Sequence, residues 1–345
     1  AALIVTAFGL RGSILGVMDM QYDEIYHYSA QVGLVDKVTP LEQQEVEDAL
    51  DESNLVSGYL TCHTASYTAQ SETYSVDCYL QTAESQEALA PFVSLRHRTN
   101  DDPVTLPDDG AVITEKMAIL LDVEPGDTIT LEGDSRVTIR VADITEHYIQ
   151  HYIYLSDTYY EKVFGSPPED NTILVDLSTD TDQAEELESQ LVALDGVTSL
   201  TLITDTRDTF TSSLESIDYA VILIIVCAAA LAFVVLLNLT SINITERIRE
   251  IATIKVLGFY PMETAAYVFR ENLFLTAIGG SAGLLLGKLL HWFVMEQINI
   301  DMVSFPHTVL PLSYGYSLLL TFLFAFIVNL VMFQKLDKIN MAESL

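Results

Sequence analysis

The chain has 345 residues, and 49 Asp and Glu against 16 Lys and Arg leave a net charge of −33 at pH 7. The charge is segregated: residues 1–215 hold 9 cations against 40 anions, a net of −31, and residues 216–345 hold 7 against 9, a net of −2. That balance excludes a nucleic-acid partner, and the nearly uncharged second part, with three long apolar segments, excludes a wholly soluble protein.

Residues 1–10 are apolar and end at Arg11. Ten residues make about 15 Å of helix, half of a bilayer core of about 30 Å. Residues 1–17 are therefore expected to be the outer half of a truncated transmembrane helix.

Residues 18–215 read as one mixed α/β domain. Strands are expected at 24–33, 58–69 and 72–82. Thr39, Pro40 and Glu42 have the pattern of a capping box with Pro at the first helical position, opening a helix to residue 52. A strand at 171–177, a helix at 182–194 and a strand at 198–203 repeat the pattern. Ala184, Leu187, Leu191 and Leu194 share one helical face there, and Gly196 follows as a stop. Between these pieces, about 104–165, lies a β-rich insert with turns at Pro125-Gly126 and Gly133-Asp134.

A hairpin turning near Gln70 would bring Cys62 and Cys78 face to face, where a disulfide fits. The other reading is two independent small apolar side chains, and both stay open. Cys227 lies within an apolar segment and reads as packing.

The apolar segments 219–239, 273–295 and 314–333 each have about 20 residues, enough to cross a bilayer as helix. Arg247, Arg249, Lys255 and Arg270 flank the first connection and Lys335 and Lys338 follow the last segment, whereas residues 297–313 hold no Lys or Arg. Positive residues in short loops mark the cytoplasmic side. Residues 246–272 and the C-terminal end are thus expected inside and the acidic domain outside, with Trp292, Tyr314 and Tyr316 at the outer interface.

In the first connection, Ile248, Ile251, Ile254 and Leu257 recur at helical spacing, with Arg247, Arg249, Glu250 and Lys255 elsewhere on the helix. Gly258 can stop that helix and Pro261 can start a short second one, 262–272. Gly279, Gly283 and Gly287 recur every four residues in the second span, a spacing that lets helices approach closely, within the chain or across a dimer. The within-chain contact is the simpler reading.

Several patterns carry no chemistry. Gly283 to Lys288 is one residue short of a phosphate loop and lies in a span. Asn238 and Asn243 fit the glycosylation pattern on the wrong side of the membrane. His147 and His151 have a helical metal spacing in a strand-like context, and read as surface histidines. Asp176, Asp180 and Asp182 fail the calcium-loop pattern. No nucleophile and base are paired by any motif, so no enzymatic activity and no cofactor in this chain are expected.

The segment Glu246-Arg-Ile-Arg-Glu-Ile-Ala-Thr-Ile-Lys-Val-Leu-Gly258, followed by a short helix and a Gly-rich span, resembles the cytoplasmic loop of FtsX-like ABC transporter permeases. Asp109-Gly-Ala-Val-Ile-Thr-Glu-Lys-Met-Ala118 and Val123-Glu-Pro-Gly-Asp-Thr-Ile129 resemble the periplasmic core domain of MacB-type members. The acidic domain and the two ends look most like the C-terminal half of a large duplicated permease of a Gram-positive bacterium. This resemblance implies a multi-pass cell-membrane α-helical protein, one truncated plus three full spans, with an extracellular α/β domain at 18–215 and a three-helix domain at 216–345.

It also implies a partner ABC ATPase, which holds the ATP and Mg, and a second permease half or protomer. By resemblance, Arg247, Arg249, Glu250, Lys255, Gly258, Phe259, Pro261 and Glu263 would make the ATPase contact. The function implied is transmission of ATP-driven motion to the outer domain, for export or extraction of a peptide, lipoprotein or drug. The alternative is a membrane-anchored sensor or scaffold that binds a cationic peptide or cell-wall hydrolase without transport.

Overall fold

The computed structural model describes residues 1–133, 135–178, 181–298, 300–306 and 308–337. Asp134, Asp180 and Lys338 lie outside the described residues, as do the side chains of Ala184, Asp182 and Lys335. The chain divides into two units: residues 16–213 with 300–305, and residues 1–15 with 214–299 and 306–345.

The first unit is α/β. Helix α1 (Ala2–Asp19) runs on as a single π-helical stretch, Met20–Ile25, before β1 (Ala30–Leu34). The helix thus takes residues 24 and 25 of the expected strand, Tyr26 makes only an isolated bridge to Val93, and the strand itself starts at Ala30. Thr39 caps α2 (Pro40–Glu52) as expected: its Oγ1 accepts from Glu42 N at 3.3 Å and its own N–H donates to Glu42 Oε2 at 2.8 Å.

The apolar run at 58–69 is two strands, β2 (Val56–Cys62) and β3 (Thr64–Gln70), which join different sheets on either side of His63. There follow β4 (Ser75–Ala83), α3 (Gln86–Leu89), β5 (Ala111–Thr114), α4 (Glu115–Leu121), β6 (Thr128–Glu132), β7 (Arg136–Thr145), β8 (Tyr152–Ser156), α5 (Asp157–Phe164), β9 (Thr172–Leu177), α6 (Thr181–Val192) and β10 (Val197–Leu202).

Strands β10-β1-β9-β2 form an antiparallel sheet. The period-2 alternation of a strand divides its side chains between two cores. Ile173 and Val175 of β9 pack with Val46 and Leu50 of α2 and with Leu187 and Leu191 of α6. Leu174 instead joins Leu60, Cys62, Tyr26 and Phe92 in the other core.

Strands β3-β4-β8-β5-β7-β6 close into a barrel filled by Leu80, Ile113, Met117, Ile129, Leu131, Ile139 and Leu155. The β-rich insert is therefore not self-contained. Its strands β5 to β8 close only by pairing with the hairpin β3–β4, through β4 with β8 and β3 with β6.

The last piece of this unit is the segment Ile300–Phe305. Val303 bridges Ile149, Gln150 N–H donates to Met302 O at 2.7 Å, and Ser304 N–H donates to Tyr148 O at 2.8 Å.

The second unit is helical: residues 1–15 of α1, then α7 (Ile203–Glu246) from residue 214, α8 (Ile248–Val256), α9 (Pro261–Gln297) and α10 (Pro311–Asp337). Tyr219–Glu246, Arg270–Gln297 and Pro311–Phe333 are long and apolar enough to span a membrane, as is the stretch Ala2–Ile25. Large apolar side chains such as Leu223, Leu285, Phe326 and Leu330 are exposed on these helices, as lipid-facing surfaces require.

No break separates a short helix 262–272 from the second span. Nothing between Pro261 and Gly279 is a helix breaker, so α9 is continuous over 37 residues.

Candidate functional site: the connection between the first two long spans

α7 passes into α8 with only Arg247 between them, and the backbone hydrogen bonds Arg247 N to Asn243 O and Ile251 N to Arg247 O carry across it. Ile251 and Ala252 are buried, and Ile251 packs with Ile244, Val328 and Met332. Ile248 and Ile254 are half-buried, so three of the four apolar positions read from the spacing face the protein. Leu257, the fourth, is 72% exposed.

Gly258 has φ +89°, and Phe259 N–H reaches Ile254 O at 3.4 Å. This is the six-to-one bond of a Schellman motif, with Gly in the left-handed position where other residues are strained. Two residues on, α9 starts at Pro261, and Glu263 Oε2 accepts the Tyr260 N–H at 2.9 Å.

Between the two helices the chain presents Val256, Leu257, Phe259 and Tyr260, all exposed, with Arg249, Glu250 and Glu263 exposed nearby in sequence. The side chains of Lys255 and Pro261 lie outside the described residues.

Behind this turn Arg247 is clamped on α9 by a two-pronged pair with Glu271, at 2.6 and 2.9 Å. The next residue, Asn272, is buried and donates to Thr240 on α7 and to Asn329 on α10. One amide thus ties three membrane helices together. Neither tie was singled out from the sequence. Asn272 was legible only as a lone amide opening an apolar run.

The glycine stripe is divided. A Cβ on Gly283 would lie 2.7 Å from the Ala1 Cβ, and one on Gly287 would lie 2.7 Å from the Val5 Cβ and 2.8 Å from the Ala2 carbonyl oxygen. Both therefore seat α1 against α9, and Thr6 Oγ1 donates to Gly287 O there at 3.2 Å. Gly279 meets nothing within 4 Å. Further along, Ser13 Oγ hydrogen-bonds the buried His291 Nε2 at 3.1 Å.

In the α/β unit the structure decides one open reading and corrects another. Cys62 and Cys78 are free and buried in different cores. The strand break at His63 puts Cys62 in β2 opposite Thr172, and the hairpin register sets Cys78 opposite Tyr67. Burial pushes both thiols up to about 12.

His147 and His151 are also buried rather than on the surface. His147 Nε2 meets Tyr26 Oη at 3.0 Å and Gln21 Nε2 at 3.1 Å, and burial, with His151 nearby, lowers its pKa to about 3. Among the described residues no group of three His, Cys, Asp or Glu is placed to hold a metal ion.

A charge network also went unread. Buried Glu146 pairs with Arg96 at 2.7 Å and with the Tyr148 hydroxyl, Arg96 also reaches Glu24, and Arg98 pairs with Glu115 at 2.7 Å and Ser304 at 3.0 Å. The signal was Arg96-His-Arg98, two cations together in a region that holds few.

The family model described as FtsX-like permease C-terminal matches residues 222–341. No curated protein matches the chain. Among the solved structures similar to this chain are two of low identity. One is the extracellular domain of the noncanonic ABC-type transporter YknZ from Gram-positive bacteria, at 17% identity and a TM-score of 0.32, over 50% of this chain and 98% of that one. The other is the periplasmic region of MacB from Actinobacillus actinomycetemcomitans, at 12% identity and a TM-score of 0.33, over 55% of this chain and 94% of that one. The match runs from the first long span through the Gly258 turn and across the other two spans, so residues 222–341 are similar to the C-terminal region of FtsX-like permeases.

Proposed function

We propose that this chain is the permease subunit of an ABC-type transporter, that a cytoplasmic ATPase grips the turn at residues 256–260, and that the α/β unit lies outside the cell. The observation that carries the reading is the turn itself. Four large side chains, Val256, Leu257, Phe259 and Tyr260, stand exposed on a stiff Schellman break, beyond the spans and beside charges of both signs. A lipid-facing surface has no use for the charges, and a solvent-facing turn has no use for the exposed rings. A groove in a partner protein takes both.

The Arg247–Glu271 clamp and the Asn272 ties support transmission, because a push at the turn then moves α7, α9 and α10 together. The outer domain would work on a peptide, lipoprotein or drug. The Lys and Arg distribution supports the orientation.

Two measurements test this. In intact cells, a membrane-impermeant thiol reagent should modify Glu72→Cys, in the turn between β3 and β4, and spare Glu250→Cys. The reverse pattern refutes the orientation. A photo-cross-linking residue at Phe259 should capture a nucleotide-binding subunit. Failure to capture one, with no ATPase co-purifying with the chain, would favour the sensor or scaffold reading.

A further inference from the structure

The α/β unit contains a cavity of about 140 Å³ that the coupling reading does not use. Tyr22, Tyr26, Tyr28, Tyr152 and Phe210 line it. The tyrosine rings form a continuous wall, with centroids 5.9 Å apart for Tyr22 and Tyr26, 4.9 Å for Tyr26 and Tyr28, and 6.4 Å for Tyr26 and Tyr152. Burial raises the pKa of Tyr26, Tyr28 and Tyr152, so this part of the wall is uncharged at neutral pH.

The lining also includes Gln31, Gln150, Thr201 and Thr206, whose side chains carry amide and hydroxyl oxygens. No cation lines the cavity among the described residues. Arg207, next in sequence to Thr206, is held by Asp19 and by Asp23 at 3.0 Å.

We infer that this cavity binds the protonated amine or guanidinium head of a cationic peptide side chain. Ring faces attract a cation placed within about 6 Å, and an amide or hydroxyl oxygen accepts its N–H groups. The size fits one side-chain head, since a cavity of about 150 Å³ holds a benzene ring. Residues 16–213 carry 8 cations against 39 anions, so the surrounding field draws cations in.

The wall is also built under strain. Gln150 has φ +64°, a left-handed conformation that a glutamine rarely adopts, and the Met302 carbonyl holds it there. The three wall segments are also continuous in sequence with, or paired to, chain that leads into membrane helices. Tyr22 follows α1, Thr206 and Phe210 begin α7, and Ile149 and Gln150 pair with residues 302–303 between α9 and α10. This inference deepens the proposed function by naming the ligand chemistry, and it rests on that reading for the outer location and the peptide.

The test is calorimetric titration of the full chain in lipid nanodiscs, without nucleotide, using four probes: the amides of Nα-acetyl-arginine, Nα-acetyl-lysine and Nα-acetyl-citrulline, and choline. The arginine or lysine amide should bind saturably and at least tenfold tighter than the uncharged citrulline isostere. Choline, a cation with no N–H to donate, should be weaker than either. Tyr152→Leu should lower the affinity at least tenfold. Phe210→Leu, on the half-exposed rim, should lower it as well if Tyr152→Leu fails to fold. Gln150→Gly relieves the backbone strain while removing the amide, and should narrow the preference over choline.

Equal binding of arginine and citrulline amides, tightest binding of choline, or no saturable binding at all would each overturn the inference. Because no ATPase takes part, these outcomes are separate from those of the cross-linking experiment.

Discussion

Gly258→Val asks whether the turn acts through its backbone. The φ of +89° costs an L-residue about 1–2 kcal/mol, and a β-branched one is the most strained. Nothing lies within 4 Å of a Cβ built there, so no packing clash adds to that. An energy of about 1–2 kcal/mol lowers the population of the native turn roughly 5- to 30-fold, and affinity for the ATPase should fall by the same factor. Insertion should be unaffected, because Gly258 lies outside the spans.

Asn tolerates the left-handed region better than other residues, so the expected order of affinity is Gly, Asn, Ala, Val. The assay is titration of purified ATPase onto each variant in nanodiscs. Wild-type affinity in Gly258→Val, or Gly258→Asn as weak as Gly258→Val, would refute the backbone argument.

Gly287→Ala should destabilise the helical unit by about 1–3 kcal/mol because its methyl meets the Ala2 carbonyl, while Gly279→Ala should not; equal melting in detergent would refute this. Asn272→Leu should cost about 0.6–2 kcal/mol by stripping the ties to Thr240 and Asn329, read as a lower unfolding midpoint in mixed micelles. Cys62 and Cys78 should resist iodoacetamide at pH 8 until the protein is denatured, and peptide mapping without reductant should find no link between them. His147 has a folded pKa near 3, below its unfolded value of about 6.5. The unfolded chain therefore takes the proton first, and the α/β unit should lose stability as pH falls from about 6.5 towards 3. His147→Gln should flatten that part of the curve.

Features set by neighbours in sequence were legible. Thr39, Pro40 and Glu42 announce α2 because a capping box is complete within four residues, and the spans announce themselves by length and apolarity. Gly258 was readable for the same local reason. The division of 58–69 at His63 was not, because no Gly or Pro marks it and only the partners β9 and β4 tell the two strands apart. Without that break, a Cys62–Cys78 bridge and two separate thiols could not be told apart from the sequence. Buried His147 carries no local sign of burial, since Tyr26 and Gln21 lie more than a hundred residues away. Arg247–Glu271 and Asn272–Asn329 are likewise meetings of distant helices, which periodicity within one helix cannot reveal.

The placement of Ile300–Phe305 in the α/β unit has a consequence for biosynthesis. A ribosome adds about 5–20 residues per second, so β1 waits several seconds for β9 and β10 before its sheet can form. Even then the unit is unfinished, since Val303 and Met302 emerge only after α7 and α9 have been made. The nascent domain must therefore stand with the backbone of Tyr148 and Gln150 uncovered until two further helices have entered the bilayer. A fragment ending at Ser213 would keep that exposed edge permanently, which predicts aggregation of the excised domain and its cure by adding residues 300–305 as a peptide.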